Sequence, residues 1–93
     1  MLPSLFRVLR GLLPMAVATL TLEELPVAAK AVVADVIGDD GLAIRLLEMG
    51  ITPGTAVRVL GRAAFGDPLE IEVRGYRLSI RRAEAARVKL APD

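Results

Sequence analysis

The sequence predicts a mainly β domain, a small barrel of short strands with one short helical insert and an amphipathic helix in front of it. Short segments rich in Val, Ile and Leu, several with apolar and polar residues in alternation, are typical of strands that bury one face. Turns that contain Gly and Pro separate these segments. A hydrophobic content of 54% with only 3% aromatic residues indicates an aliphatic core, and 93 residues indicate one domain.

An amphipathic helix is predicted over residues 2–13, where apolar residues recur with helical spacing and Arg7 and Arg10 lie on the other side. Pro14 ends it. The helix is too short to span a bilayer, and its arginines interrupt the apolar run that a signal peptide needs. We expect residues 1–18 to form a helical extension that docks on its own domain or pairs two copies of the chain. A surface-lying membrane anchor is the alternative.

The barrel domain, residues 19–91, is predicted to begin with a single helical turn followed by a strand. Thr21 and Glu24 have the three-residue spacing of a capping box, with Thr21 as the N-cap residue. The segment Ala29–Ile37 is mostly apolar and rich in β-branched residues, which predicts the first strand.

A short helix and a tight turn are predicted next. Asp39–Gly41 provides a turn and a helix N-cap, and Leu42–Met49 forms the helix. Gly50 is expected in the left-handed conformation that follows many helices, and Thr52–Thr55 has the residues of a type II turn. Because so short a helix is unstable alone, packing must hold it. We expect its apolar side chains to close one end of the barrel: Leu42, Leu46, Leu47 and Met49.

A strand over Ala56–Arg62, a loop over Ala63–Pro68 and then a hairpin are predicted to follow. If Gly75 and Tyr76 form a two-residue type II′ loop, the hairpin register is determined and its apolar side chains share one face. The predicted pairs are Arg74 with Arg77, Val73 with Leu78, Glu72 with Ser79, Ile71 with Ile80, and Glu70 with Arg81. A helical turn over Arg82–Ala86 and a strand over Arg87–Leu90 complete the domain, and five short strands with one helical insert describe an SH3-like barrel.

The composition argues against an enzyme. The chain has no histidine and no cysteine, so the commonest general base and the preferred ligands of zinc and iron are absent. The glycines of Gly50–Thr55 lack the lysine and the spacing of a phosphate-binding loop, which makes them turn residues. We therefore expect no catalytic residues, no cofactor and no dedicated metal site.

The charges are unevenly divided along the chain. Residues 19–53 carry two basic and six acidic side chains, whereas residues 54–90 carry eight basic and four acidic ones. These charges either compensate one another within the folded domain or form a basic face, centred on the hairpin, for an acidic partner. Small barrels with clustered arginines can also bind RNA or single strands. Only Tyr76 and Phe65 are available to stack on bases, so we expect no nucleic-acid partner.

Two segments in this order, Leu46–Thr55 and Phe65–Arg81, resemble the FeoA family of small cytoplasmic accessory proteins in bacterial ferrous-iron uptake. The resemblance covers roughly Leu20–Leu90. It implies an SH3-like barrel, a cytoplasmic location with at most peripheral membrane contact, and a partner, the membrane protein FeoB with its cytoplasmic GTPase domain. It supplies no catalytic or metal-binding residues. A related SH3-like module forms the C-terminal domain of iron-dependent repressors, which is an alternative assignment.

The expected partner surface follows from the short helix and the hairpin. A helix has only one inward face, so part of the apolar surface of Leu42–Met49 should stay exposed, and exposed apolar surface often marks an interface. Together with the aromatic residue of the loop and the residues around the hairpin turn, the predicted interface consists of Leu42, Leu46, Met49, Phe65, Arg74, Tyr76 and Arg77.

Overall fold

Five antiparallel strands form one sheet in the computed structural model, which describes residues 20–91. Their bounds are Lys30–Val36 (β1), Ala56–Arg62 (β2), Leu69–Val73 (β3), Tyr76–Ile80 (β4) and Val88–Ala91 (β5). Their order in the sheet is β4-β3-β2-β1-β5. The predicted mainly β fold class is confirmed. The helix predicted over residues 2–13 lies outside the described residues, so this helix and the dimer expected through it stay predictions.

Two short helices connect the strands. Helix α1, Gly41–Glu48, lies between β1 and β2, and helix α2, Arg82–Ala85, lies between β4 and β5. Asp40 begins α1 as predicted, because its carboxylate accepts a hydrogen bond from the Ala43 N–H over 3.2 Å. This bond satisfies one of the backbone N–H groups that the first helical turn leaves without a partner.

The C-terminal end of α1 is closed by the predicted glycine. Gly50 has a φ of 96°, and its N–H donates to the Leu47 carbonyl over 3.0 Å. The N–H of Ile51 donates to the Leu46 carbonyl over 3.1 Å, which completes a Schellman motif. Both Leu46 and Ile51 are fully buried, so the end of the helix is attached to the core by the hydrophobic contact typical of this motif.

The short turns before β1 and before β2 also agree with the sequence. A 3₁₀ turn spans Leu22–Glu24, and the N–H of Thr21 donates to the Glu24 carboxylate over 2.8 Å. The turn before β2 closes with a hydrogen bond of 3.0 Å from the Thr55 N–H to the Thr52 carbonyl. The capping and turn residues therefore act where their spacing predicted.

The hairpin turn consists of Arg74 and Gly75, and the prediction of Gly75 and Tyr76 is wrong. Both residues have a positive φ, 52° for Arg74 and 83° for Gly75, as a type I′ turn requires. The predicted pairs are wrong by two residues, because β3 pairs with β4 as Leu69 with Ile80, Glu70 with Ser79, Ile71 with Leu78, Glu72 with Arg77, and Val73 with Tyr76. A shift of two leaves every side chain on its own face, so the alternation alone could not distinguish the two pairings.

The core between the sheet and α1 is aliphatic, as the composition predicted. Its fully buried side chains come from the first 3₁₀ turn, α1, the segment between α1 and β2, and all five strands. The largest are Leu22, Leu46, Ile51, Leu69, Ile71, Ile80, Val33, Val57, Val59, Val73 and Val88.

Candidate partner-binding surface

Helix α1 exposes different residues from those predicted for the interface. Leu46 is fully buried and belongs to the core, so the prediction that it lies in the interface is wrong. Leu42 and Met49 are only half-buried. The exposed apolar residues are Ile44 and Leu47, at 50% and 40% exposure. Leu47 therefore does not close the barrel, since the inward face of so short a helix has room for few side chains.

Phe65 lies at the tip of the loop between β2 and β3 with 96% of its surface exposed. It occupies a 3₁₀ turn, Ala64–Gly66, with a φ of 62°, and the N–H of Gly66 donates to the Ala63 carbonyl over 2.9 Å. A bulky side chain at positive φ is uncommon and is found preferentially at functional positions. Phe65 thus remains a candidate contact residue, since its ring contributes nothing to the core.

Arg74 has a structural role that the sequence did not reveal. Its Nη2 donates to Thr55 Oγ1 over 2.9 Å and to Thr52 Oγ1 over 3.3 Å, and its Nε lies 3.5 Å from the carbonyl oxygen of Gly50. The guanidinium therefore joins the β3–β4 turn to the end of α1 and to the turn before β2. Its hydrogen-bonding capacity is largely used within the chain, which leaves less of it for a partner.

Tyr76 and Arg77 lie at the start of β4 and face the solvent. Tyr76 is 72% exposed, and Arg77 lies opposite Glu72 of β3. Within residues 20–91 the arginine has no carboxylate within 4.0 Å. Of the predicted hairpin residues, these two are free to contact another molecule.

A row of charged side chains crosses the outer face of the sheet. Lys30 of β1 pairs with Arg58 of β2, Arg58 with Glu72 of β3, and Glu72 with Arg77 of β4. Three of the four residues in this row are basic, and all four are exposed. The row therefore carries a net charge of +2, and its two arginines come from the basic half of the chain.

Part of the charge is compensated within the domain. Arg87 forms two hydrogen bonds with the Asp40 carboxylate, of 2.7 and 3.0 Å, and Arg82 lies 3.0 Å from the Glu23 carboxylate. The hydrogen bond from Arg87 holds the pKa of Asp40 below its ordinary value, and Asp40 raises the pKa of Arg87. Compensation within the domain therefore accounts for Arg82 and Arg87, and a basic face for an acidic partner stays a prediction.

The predicted interface residues do not form one cluster. Arg74 lies beside Gly50 at the end of α1, so the hairpin turn and the region of Met49 are close together. Phe65 lies beyond the opposite end of β3, and five residues of strand separate the two regions by about 17 Å. A partner that contacts both must extend along the strand.

The described part of the chain contains neither a metal-binding cluster nor a membrane-spanning helix. Among residues 20–91, no group of three or more histidine, cysteine, aspartate or glutamate side chains could hold an ion. None of the helices in that range has the length and the apolar run needed to cross a bilayer.

Comparisons with known proteins agree with this fold and size. Residues 20–92 match the family model described as the FeoA domain. FeoA from Stenotrophomonas maltophilia, solved in complex with zinc, is 37% identical, with 76% of this chain and 88% of that chain covered and a TM-score of 0.68. It is described as a prokaryotic SH3 domain protein and is suggested to activate bacterial ferrous iron transport. The predicted SH3-like fold is thereby confirmed.

Two further solved structures have a similar fold. The FeoA-like protein from Clostridium acetobutylicum is 30% identical over 78% of this chain and 85% of that chain, with a TM-score of 0.74. A manganese-dependent transcriptional repressor has a TM-score of 0.71 over 80% of this chain and 41% of that chain, but at 16% identity it shows the fold alone. A search of curated proteins gives no match.

Proposed function

Because the chain belongs to the FeoA family, which is linked to ferrous iron transport, we propose that it is a non-enzymatic accessory protein that binds the cytoplasmic GTPase region of an FeoB-like membrane transporter. The family match over residues 20–92 is the observation that carries this proposal. The activating role suggested for the S. maltophilia relative is consistent with it. The proposed location is the cytoplasm, where the GTPase region lies.

The surface of the sheet supports a binding role. Arg77 and Arg58 are exposed on its outer face, and Tyr76, the residue before Arg77 in β4, has an exposed aromatic ring on the opposite face at the same edge. Arginine and tyrosine are enriched in the contacts that contribute most to protein interfaces. The proposal assigns no chemical step to the chain, whose sequence has neither histidine nor cysteine.

A pull-down from membranes tests the proposed function. The purified chain, immobilised through its C-terminus, is incubated with detergent-solubilised membranes that contain the FeoB-like protein of the same organism and with matched membranes that lack it. We expect retention of the transporter, and weaker retention as salt rises because exposed charges are screened. If the transporter is not retained with GTP, with GDP or without nucleotide, the proposal is wrong.

Single-stranded nucleic acid is the alternative partner, and the same preparation tests it. Cations beside an aromatic ring are the common elements of such sites, and β4 offers only a partial version of this arrangement, because Tyr76 and Arg77 are consecutive and their side chains lie on opposite faces of the sheet. Phe65 lies too far away to extend it. We expect a short oligouridine not to compete with the transporter, and effective competition would favour the nucleic-acid interpretation.

A further inference from the structure

The sheet has two edges, and the described residues cover only one of them. At the β5 edge, the N–H of Leu90 donates to the Leu20 carbonyl over 3.0 Å, and Thr21 forms a bridge with Lys89. At the other edge, β4 pairs with β3 alone. Among residues 20–91, nothing beyond β3 bonds to the backbone of Arg77 or Ser79.

The hairpin turn determines which backbone groups of β4 point away from the sheet. In a two-residue hairpin the flanking residues, here Val73 and Tyr76, exchange both of their backbone hydrogen bonds. Antiparallel pairs then alternate between bonded and non-bonded along the strand. The backbone groups of Arg77 and Ser79 therefore face outward, where a further strand can bond to them.

The side chains along this edge are polar on one face of the sheet and mainly apolar on the other. Arg77 and Ser79 lie on the outer face of the sheet, and both are exposed. Tyr76 and Leu78 lie on the opposite face, where Leu78 is half-buried against the core. A strand added here would alternate between a basic neighbour on one face and apolar neighbours on the other.

We propose that the β4 edge, residues 76–79, binds an extended segment that alternates acidic and apolar residues and that joins the sheet as an additional strand. The proposal rests on the proposed function, because it assigns the segment to the cytoplasmic region of the FeoB-like GTPase. Its acidic residues would lie beside Arg77, and its apolar residues beside Tyr76 and Leu78.

The charge of Arg77 favours an acidic strand over the β4 edge of a second copy of the chain. Antiparallel pairing of the β4 edges of two copies would bring an arginine of each chain close together, and like charges on neighbouring strands are unfavourable. Charged side chains on an edge strand oppose self-association in this way. An acidic strand instead gains from Arg77, which has no carboxylate within 4.0 Å among residues 20–91.

Amide hydrogen exchange with a synthetic peptide tests the strand addition. The probe alternates glutamate and valine, and the matched control alternates lysine and valine. We expect the glutamate peptide to slow exchange at the amides of Arg77 and Ser79. The amides of Tyr76 and Leu78, already bonded to β3, should change little. Equal binding of the lysine peptide, or slowing elsewhere on the sheet only, would overturn the proposal.

A proline substitution and a modified peptide separate edge pairing from contact with the sheet face. Ser79→Pro removes an outward N–H and no bond of the ladder, a position where edge strands tolerate proline. It should weaken peptide binding by up to about tenfold, as the loss of one hydrogen bond allows, whereas Ser79→Ala should not. If Ser79→Pro fails to fold, a peptide methylated on the backbone nitrogens that face β4 provides the same test on the wild-type chain.

Measuring the affinity of the same variants for the GTPase region distinguishes failure of this inference from failure of the proposed function. If the wild-type chain and Ser79→Pro bind the GTPase region equally well, the edge proposal is wrong and the proposed function stands. If the wild-type chain does not bind the GTPase region, both are wrong, whatever the peptide does. Loss of binding in Ser79→Pro, with binding kept in Ser79→Ala, is the expected result.

Discussion

Arg74 Nη2 donates a hydrogen bond to Thr55 Oγ1 over 2.9 Å and so connects the β3–β4 turn to the turn that precedes β2. The contact explains how a non-glycine residue is kept at a φ of 52° in the hairpin turn. The contact also gives the two arginines at this end of the sheet different roles. Arg74 stabilises the fold, whereas Arg77 faces the solvent.

This difference predicts unequal effects of the same substitution. Arg74→Lys keeps the charge but loses the planar donor geometry that reaches Thr52 and Thr55, so it should lower the free energy of unfolding by about 1 kcal/mol. Arg77→Lys, at an exposed position, should change it by less than about 0.5 kcal/mol. Urea unfolding of both variants measures this, and equal effects would show that the Arg74 contacts contribute little.

The backbone of the turn predicts a cost for any side chain at Gly75. A Cβ there would meet no atom within 4 Å, so the penalty of Gly75→Ala comes only from its φ of 83° and should be about 1–2 kcal/mol. Gly41→Ala is the matched control, since its Cβ is equally unobstructed and its φ is not positive. If the two variants unfold at the same temperature, the turn does not have the type I′ conformation.

The Asp40–Arg87 pair predicts an acid dependence of stability. Arg87 holds the folded-state pKa of Asp40 below its ordinary value of 3.8. The pair therefore stabilises the fold above pH 3.8. That contribution is lost as the pH falls through the lower, folded-state pKa. Arg87→Gln should be less stable than the wild type at neutral pH, and the difference should shrink below about pH 4.

Urea unfolding across the acid range measures this difference. Arg58→Gln is the control, because Arg58 has no carboxylate within 4.0 Å among residues 20–91 and should show no such convergence with the wild type. A constant difference between Arg87→Gln and the wild type down to the lowest pH would contradict the assignment.

The composition predicts weak metal binding. Carboxylates without imidazole or thiolate groups are poor ligands for zinc and ferrous iron. Calorimetric titration of the chain with either ion should therefore reveal no stoichiometric submicromolar site. Such a site on the monomer would refute the prediction, whereas a weak site shared between copies would not.

Local patterns predicted most of the elements, because each depends on neighbours in the sequence. The capping box of Thr21, the N-cap of Asp40 and the left-handed Gly50 involve contacts within a few residues, and each is present. The hairpin faces were also predictable from alternation. Its register was not, because moving the turn by one residue shifts the strand pairing by two and leaves the faces unchanged.

Contacts between distant residues escaped prediction. From the sequence alone, Arg74 was expected to be a surface residue that contacts a partner. Its contact with Thr55 exists only because β2 and β3 are neighbours in the sheet. The burial of Leu46 and the exposure of Ile44 depend on how α1 is rotated against the core. The β4 edge, which has no further strand beside it among residues 20–91, follows from the order of the strands, which a single sequence does not specify.

The affinity of the chain for the purified cytoplasmic GTPase region of its FeoB-like partner tests the central claim most directly. The comparison includes Arg77→Glu and Lys30→Glu, which change the net charge equally at two exposed positions three strands apart. We predict measurable binding by the wild type. Arg77→Glu should bind about tenfold more weakly, as expected for loss of a charged interface contact. Lys30→Glu should lose less affinity. No binding by the folded wild-type chain, or equal losses in the two variants, would contradict the account.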